Sequence, residues 1–328
     1  MDFTNIVGHE DIIKHFKASM EMNRVGHAYI ICGEEDSGKK SLATTFAKAL
    51  QCEEHKLDPC NTCKSCLQVE SGNHPDIINV IHEKPKVITV DEIRTQVVNT
   101  VSIKPYSGRY KIYIIDDAQL MNVEAQNAIL KTIEEPPEYV VIMLLATTAE
   151  KFLPTIISRC VLLNLKPVKD EDIKDYLISH FGIDSNMAET CVGYAAGNLG
   201  KAIKLATNEE YQGLVKSVIR LETRLFDMSM EDIEDTILDC DRYKVTINEY
   251  LDLMLVWYRD ILVLKVTGNP DKIMFKNNYS DIRNQSHYLS FNELEDKKRA
   301  IEDAKIRINA NARMSDVMKL LIMTLKEK

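Results

Sequence analysis

Ala28-Tyr29-Ile30-Ile31-Cys32-Gly33-Glu34-Glu35-Asp36-Ser37-Gly38-Lys39-Lys40 reads as a short apolar strand, a glycine-bounded turn and the opening of a helix. That is the setting a phosphate-binding loop requires. Gly33 and Gly38 let backbone N–H groups turn toward phosphate oxygens, and the helix N-terminus adds partial positive charge. Lys39 stands where an ammonium would reach β- and γ-phosphates. Position 40 departs from the pattern. A hydrolytic loop carries Ser or Thr there to ligate Mg²⁺, whereas the Lys40 ammonium cannot ligate a cation and repels one. Ser41 comes one residue late, rotated about 100° around the helix. Glu34 and Glu35 add negative charge to a loop meant for a polyanion. ATP or ADP is the ligand this motif would take. A loop kept only for its ancestral shape is the alternative.

Outward from the loop, Leu42, Phe46, Ala49 and Leu50 recur at helical spacing. Strand signals follow at Ile77–Ile81, Ile112–Ile115, Val140–Ala146 and Cys160–Leu165. Helices are expected from a capping box at Thr89-x-x-Glu92 through Val101, and over Glu124–Glu134 before Pro136-Pro137. Near-continuous apolar strands separated by helices imply a parallel sheet covered on both faces. After Pro167 strand signals fade. Asp170–Leu205 reads as a small helical unit containing the turn Gly197-Asn198-Leu199-Gly200. From about Glu209 onward the chain reads as helical, with long pieces at Ile247–Val266 and Leu294–Lys326 and an irregular stretch from Gly268 to Ser290.

Cys52, Cys60, Cys63 and Cys66 interrupt the first part with the spacing C-x7-C-x2-C-x2-C. Four thiolates this close can surround one Zn²⁺ tetrahedrally, and a filled Cys₄ shell is structural because it leaves no position for water. Neighbours such as Glu53, Glu54, Lys56, Asp58 and Lys64 are too polar for a core of packed thiols. His55 and His74 lie nearby and read as surface residues. The other cysteines (Cys32, Cys160, Cys191, Cys240) are scattered, which suggests a reducing compartment.

The chain has 328 residues and a formal charge of −9, so contact with nucleic acid would have to come from a local basic patch. The N-terminus lacks an apolar signal region. The apolar stretch Tyr250–Val266 is broken by Asp252, Arg259, Asp260 and Lys265, so no membrane association is expected. Trp257 shares helical spacing with Met254 and Ile261 and reads as core. Arg94 fits either a phosphate contact or a solvated helix position.

Asp116 ends an apolar strand, where a carboxylate could bind Mg²⁺ directly or through water. Asp117 follows it, one methylene shorter than the glutamate that polarises an attacking water. A displacement of about an ångström can lose much of that effect. An Asp pair capping the turn is the other reading of Asp117. Arg159, in Ser158-Arg159-Cys160, precedes a strand on a surface loop, a place usually held by a solvated or salt-bridged arginine.

Together these pieces resemble the bacterial clamp-loader subunits of the AAA+ superfamily. The resemblance runs in order through IVGHE (Ile6–Glu10), R-x-x-HAY (Arg24–Tyr29), the loop, the four cysteines, GNHPD (Gly72–Asp76), IIDDAQLM (Ile114–Met121), AQNAILKTIEEPP (Ala125–Pro137), LLATT (Leu144–Thr148) and LPTIISRC (Leu153–Cys160). It covers the first half densely and the second only in length and helicity. It implies an α/β P-loop (AAA+) parallel-sheet domain over 1–166 carrying the zinc knuckle (52–66), a small helical lid over 167–207, and an all-α collar over 208–328.

The resemblance also implies a cytoplasmic hetero-pentamer with gamma/tau and delta subunits. Such a ring loads the sliding clamp onto primer–template DNA within the DNA polymerase III holoenzyme, a nucleotidyltransferase assembly. Arg159 matches the arginine finger presented to a neighbour's ATP, Thr148 the first sensor, and Lys201 the position where a second sensor carries arginine. Lys40, Asp117 and Lys201 depart from the hydrolytic pattern, while Arg159 is intact. A non-motor subunit with weak or no ATPase alone is therefore expected. The alternative is an active gamma/tau-type ATPase, although such chains are usually longer where they carry a polymerase-binding extension. A zinc-dependent nucleic-acid binder is a third reading, which the knuckle's mixed charges oppose.

Overall fold

The computed structural model describes residues 2–83, 86–244 and 246–327. Met1 and Lys328, the outer limits of the expected divisions, lie outside them. The chain forms two compact units, Met1–Ile173 with Gly197–Gly200, and Lys174–Ala196 with Lys201–Lys328.

The first unit is built on a parallel sheet of β1 (Ala28–Cys32), β2 (Ile77–Val80), β3 (Lys111–Ile115), β4 (Val140–Ala146) and β5 (Val161–Asn164), in the spatial order β2-β3-β4-β1-β5. β1, β3 and β4 are buried at every residue, which is why β1, β4 and β3 after its opening Lys111 read as apolar runs. The edge strands β2 and β5 are half-exposed.

Strand alternation sends side chains to two cores. Ile30, Tyr113, Ile142 and Leu144 face one core with Ile93, Ile129 and Ile133. Tyr29, Ile31, Ile114 and Met143 face the other with Phe16, Leu42 and Phe46. In the second core the Phe16 and Phe46 rings stack at 3.8 Å, and Tyr29 meets both edge-on.

The helices of this unit are α1 (Glu10–Glu21), α2 (Lys39–Gln51), α3 (Lys64–Glu70), α4 (Val90–Ile93, continued by a π turn over Arg94–Val98), α5 (Val123–Glu134) and the single turn α6 (Pro154–Ile157). The Thr89 capping box forms as expected: the Thr89 N–H donates to the Glu92 carboxylate at 2.6 Å, and the Glu92 N–H donates to the Thr89 hydroxyl. The sequence reading did not anticipate α1 and α3. Each is short and held by packing, through Ile12 and Phe16 in one and Cys66 and Val69 in the other.

From Asp170 the chain is helical: α7 (Asp170–Phe181), α8 (Ser185–Ala195), α9 (Leu199–Thr207), α10 (Glu209–Arg224), α11 (Met230–Asp241), α12 (Ile247–Thr267), α13 (Tyr279–Tyr288), α14 (Phe291–Asn309) and α15 (Met314–Lys326). Trp257 on α12 is fully buried, as expected. Its indole N–H donates to Gln285 Oε1 at 2.9 Å, and Gln285 donates onward to the Glu222 carbonyl.

Two expectations in this unit are corrected. The stretch expected to be irregular contains α13, and the buried Asp260 carboxylate fixes the turn before it by accepting the N–H groups of Met274 and Phe275. The single long helix expected over Leu294–Lys326 is two. It breaks at Asn311, which adopts a left-handed φ of 65° that asparagine tolerates better than most residues.

Candidate functional site

Parallel strands bring every β-to-α loop to one edge of the sheet, and a crevice forms where strand order reverses. The loop after β1 emerges there, between the ends of β4 and β5. Gly38, at φ 89°, caps α2 in a conformation open to glycine at no steric cost. Gly33 is required for space, since a Cβ there would lie 2.7 Å from Ser37 Oγ and 3.0 Å from Leu165 Cβ.

The loop's carbonyls are taken up from within the unit. Lys39 is buried, and its ammonium donates to Gly33 O at 2.8 Å and Glu34 O at 2.5 Å. Burial lowers its pKa, opposed by the nearby charges of Asp116, Asp117, Glu35 and Asp36. His9 Nε2 donates to Ser37 O at 3.2 Å, and Asn198 Nδ2 donates to Glu35 O at 2.8 Å. Sequence reasoning missed His9 and Asn198 as loop-holding residues. Their signal was present in Ile6–Glu10 and in the Gly197–Gly200 turn.

Lys40 turns to β3. Its ammonium lies 3.2 Å from Asp116 Oδ2, and Asp116 Oδ1 accepts the Asp117 N–H at 3.2 Å. Both oxygens of the acid expected to serve Mg²⁺ are therefore engaged by the chain itself. Asp117 has a left-handed φ of 48°, and its Oδ1 accepts from Gln119 Nε2 at 3.1 Å. Gln119 Oε1 in turn accepts the Thr147 N–H at 3.3 Å. Gln119, another residue the sequence reading did not single out, thus ties the end of β3 to the end of β4. Thr148 is half-buried, and its hydroxyl oxygen accepts the Glu150 N–H. Ser41 is half-buried one position along α2. Gly33, Gly38, Lys39, Lys40, Ser41, Asp116, Asp117 and Thr148 therefore share one sheet edge. Lys201 lies on α9 in the second unit, whereas the turn before it belongs to the first.

Arg159 is at the other edge. Arg159 lies just before β5, whose first residue Val161 pairs with Tyr29, four residues before Gly33. At about 3.3 Å per residue the start of β5 is roughly 13 Å along the strands from the loop. The side chain is exposed. Its guanidinium meets Glu134 Oε1 at 3.1 Å through Nη2 and donates to Thr155 O at 3.0 Å through Nη1. Glu134, the last residue of α5, was not flagged by sequence although it lies in the Ala125–Pro137 string.

The cysteine module packs beside α2. The sulfurs of Cys52, Cys60, Cys63 and Cys66 all lie within 4.8 Å of one another, with Cys60 and Cys66 at 3.9 Å. Four sulfurs at a zinc–sulfur distance of about 2.3 Å would stand roughly 3.8 Å apart, so the set fits one tetrahedral ion. The N–H groups of Cys60, Cys63 and Cys66 donate to the sulfurs of Cys52, Cys60 and Cys63. Backbone N–H groups of Thr62 and Cys63 bring the Cys60 thiol down to about 6, while burial raises Cys52 and Cys66.

Lys48 of α2, nearly fully buried, donates to Asn61 Oδ1 at 2.7 Å and pairs with Glu70 of α3. Lys17 of α1 reaches Asp58 at 2.6 Å. His55 is exposed. His74 corrects the surface expectation: it is buried, its Nδ1 accepts the Asp76 N–H, and its Nε2 donates to Ser65 Oγ at 3.1 Å. Asp76 in turn accepts the N–H groups of Tyr106, Ser107 and Gly108, so this His-Pro-Asp turn organises the loop before β3. No described helix is long and apolar enough to cross a membrane.

Residues 8–169 match the family described as DNA polymerase III, delta subunit. Over 320 residues the chain is 29% identical to the DNA polymerase III subunit delta' of Bacillus subtilis, covering 96% of this chain and 95% of that one. It is 37% identical over 176 residues to the DNA polymerase III subunit tau/gamma of Haemophilus influenzae, covering 53% of this chain and about a quarter (25%) of that one. Among solved structures, a gamma subunit-related protein of Thermotoga maritima aligns with 96% of this chain and 98% of that one, at TM-score 0.50 and 18% identity, a likeness of fold.

Proposed function

We propose that this chain, which matches the family described as DNA polymerase III, delta subunit over residues 8–169 and resembles a delta' subunit along 96% of its length, is a clamp-loader subunit of DNA polymerase III and specifically the non-motor delta-prime subunit. It supplies Arg159 to the ATP of a neighbouring motor subunit and hydrolyses little or none itself. One observation carries the reading. The guanidinium stands exposed at the sheet edge opposite its own loop, while Lys40 occupies Asp116 within that loop's site. A guanidinium brought beside another subunit's γ-phosphate neutralises charge that develops as the bond to the leaving group loosens.

In this reading 167–207 is a lid and 208–328 a collar. The chain assembles with gamma/tau and delta subunits as a cytoplasmic hetero-pentamer, and sliding clamp and primer–template DNA are engaged through that complex. Zn²⁺ is held by Cys52, Cys60, Cys63 and Cys66 and is structural, since four thiolates complete its shell. It cross-links the segment between α2 and α3.

The similarity to tau/gamma over 176 residues favours a second reading, an active gamma/tau-type ATPase. ATP hydrolysis by the purified chain, alone and with motor subunits, separates the two. The first reading expects negligible turnover alone and a large loss in the complex on Arg159→Ala. Turnover by the chain alone that disappears on Lys39→Ala would overturn it.

A further inference from the structure

Magnesium is the ion that a hydrolytic loop of this family implies, and the residues present do not fit it. The hydroxyl that would ligate the ion at position 40 is replaced by an ammonium. That ammonium lies 3.2 Å from Asp116 Oδ2, the oxygen left after Oδ1 accepts the Asp117 N–H. The neighbouring carboxylate of Asp117 is turned onto Gln119. Lys39 does not compete for Asp116, being held by Gly33 O and Glu34 O.

We infer that Lys40 is the resident cation of this pocket. Its ammonium takes the place at Asp116 that a divalent ion takes in a hydrolytic loop, so that any nucleoside di- or triphosphate accepted here is bound without metal. An ammonium has three donors. One can remain on Asp116 while another meets a phosphate oxygen, the bridging role a metal would otherwise fill. Its single charge is already matched by Asp116, so it supplies less attraction for phosphate than a divalent ion and polarises no water. The loop's own Glu34, Glu35 and Asp36 deepen that deficit. The inference explains why position 40 and Asp116 must be read together: substituting position 40 removes a ligand and, in the same step, installs the ion's replacement.

This rests on the family premise and is independent of Arg159, since it is read from nucleotide binding by the isolated full chain. Binding of a fluorescent ADP analogue is measured with millimolar Mg²⁺ and with excess EDTA, for wild type, Lys40→Thr and Lys40→Thr/Asp116→Asn. Circular dichroism confirms that each is folded, and Mn²⁺ binding followed by electron paramagnetic resonance gives a readout without nucleotide. Wild type is expected to be indifferent to Mg²⁺, whether its affinity is weak or nil. Lys40→Thr is expected to gain at least tenfold in affinity with Mg²⁺ and to bind Mn²⁺, and Asp116→Asn is expected to erase both gains. A wild-type affinity that rises tenfold with Mg²⁺ overturns the inference, as does a Lys40→Thr chain as metal-insensitive as wild type.

Discussion

Two ion pairs sit at opposite ends of the same parallel sheet. Lys40 and Asp116 meet at 3.2 Å where the strands end, and Arg159 and Glu134 at 3.1 Å where β5 begins. All four side chains are well exposed, so neither pair adds much to stability, with about 0–1 kcal/mol typical of such pairs. Their difference is chemical. The first consumes both partners: the acid that would hold a metal is given a cation from its own chain, and its neighbour Asp117 is tied to Gln119. The second holds an arginine outward, with one arm on a backbone carbonyl and the other on a carboxylate that another anion could replace. Energetically similar contacts thus close one edge to hydrolytic chemistry and keep the other available, and the edge on which each falls is set by strand direction.

The largest expected effect comes from removing the available arginine. In a complex with motor subunits, Arg159→Ala should slow hydrolysis at the interface it faces by about a thousandfold, read as the loss of one phase in single-turnover ATP hydrolysis. An unchanged time course would break the comparison, because both edges would then be inert.

Next in size is a pH effect confined to the helical unit, which separates assembly from either edge. Burial raises the Glu222 carboxyl from an ordinary 4.5 to about 8, with Tyr258 and Lys297 beside it. The folded chain binds this proton more tightly than the unfolded one. The stabilising contribution is therefore complete below about pH 4.5 and is lost as pH rises toward 8, at up to about 1.4 kcal/mol per unit. Urea melts between about pH 5 and 8 should show the slope, and Glu222→Gln should flatten it. A slope unaffected by Glu222→Gln would assign the sensitivity elsewhere.

Stripping metal should then distinguish the two edges structurally. The cysteine module grips α2 through Lys48 and α1 through Lys17, both on the loop's side of the domain core. Chelation should speed amide exchange in α2 and α3 at least tenfold, or about 1.4 kcal/mol of local stability. Exchange in α6 and β5 should hardly change. Uniform acceleration across the sheet would mean that the module stabilises the whole unit.

The smallest effect concerns Glu134. Glu134→Gln keeps a hydrogen-bond acceptor but removes the charge that competes with phosphate for Arg159. Releasing a pair of about 1 kcal/mol should raise hydrolysis at that interface two- to fivefold. A fall approaching that of Arg159→Ala would instead make Glu134 a positioning residue.

The α/β core was legible because strands buried on both faces are almost wholly apolar, the exception being Lys111 at the start of β3. β1 and β4 were placed to the residue, and β3 within one. The four cysteines were legible because ligand spacing is local. α3 was missed because seven residues carry too short a stripe to read without the knuckle, whereas α1, with Ile12, Ile13, Phe16 and Met20 at helical spacing, was legible and went unread. His74 was misread because a histidine in a polar stretch gives no hint that Ser65 and Asp76 will close around it. The break at Asn311 was missed because helix-forming residues continue on both sides of it.

The order of residues alone determined which groups this protein owns: a lysine where a hydroxyl should be, a shortened acid, an intact Ser-Arg-Cys, four spaced thiols. Only the folded chain decided who answers whom. Lys40 finds Asp116 across dozens of intervening residues because β1 and β3 run in the same direction and end at the same edge. Arg159 cannot join them because the sheet delivers it to the opposite edge. Residue identity is local chemistry, whereas partnership depends on strand order and direction, which the packing of two cores against one sheet imposes.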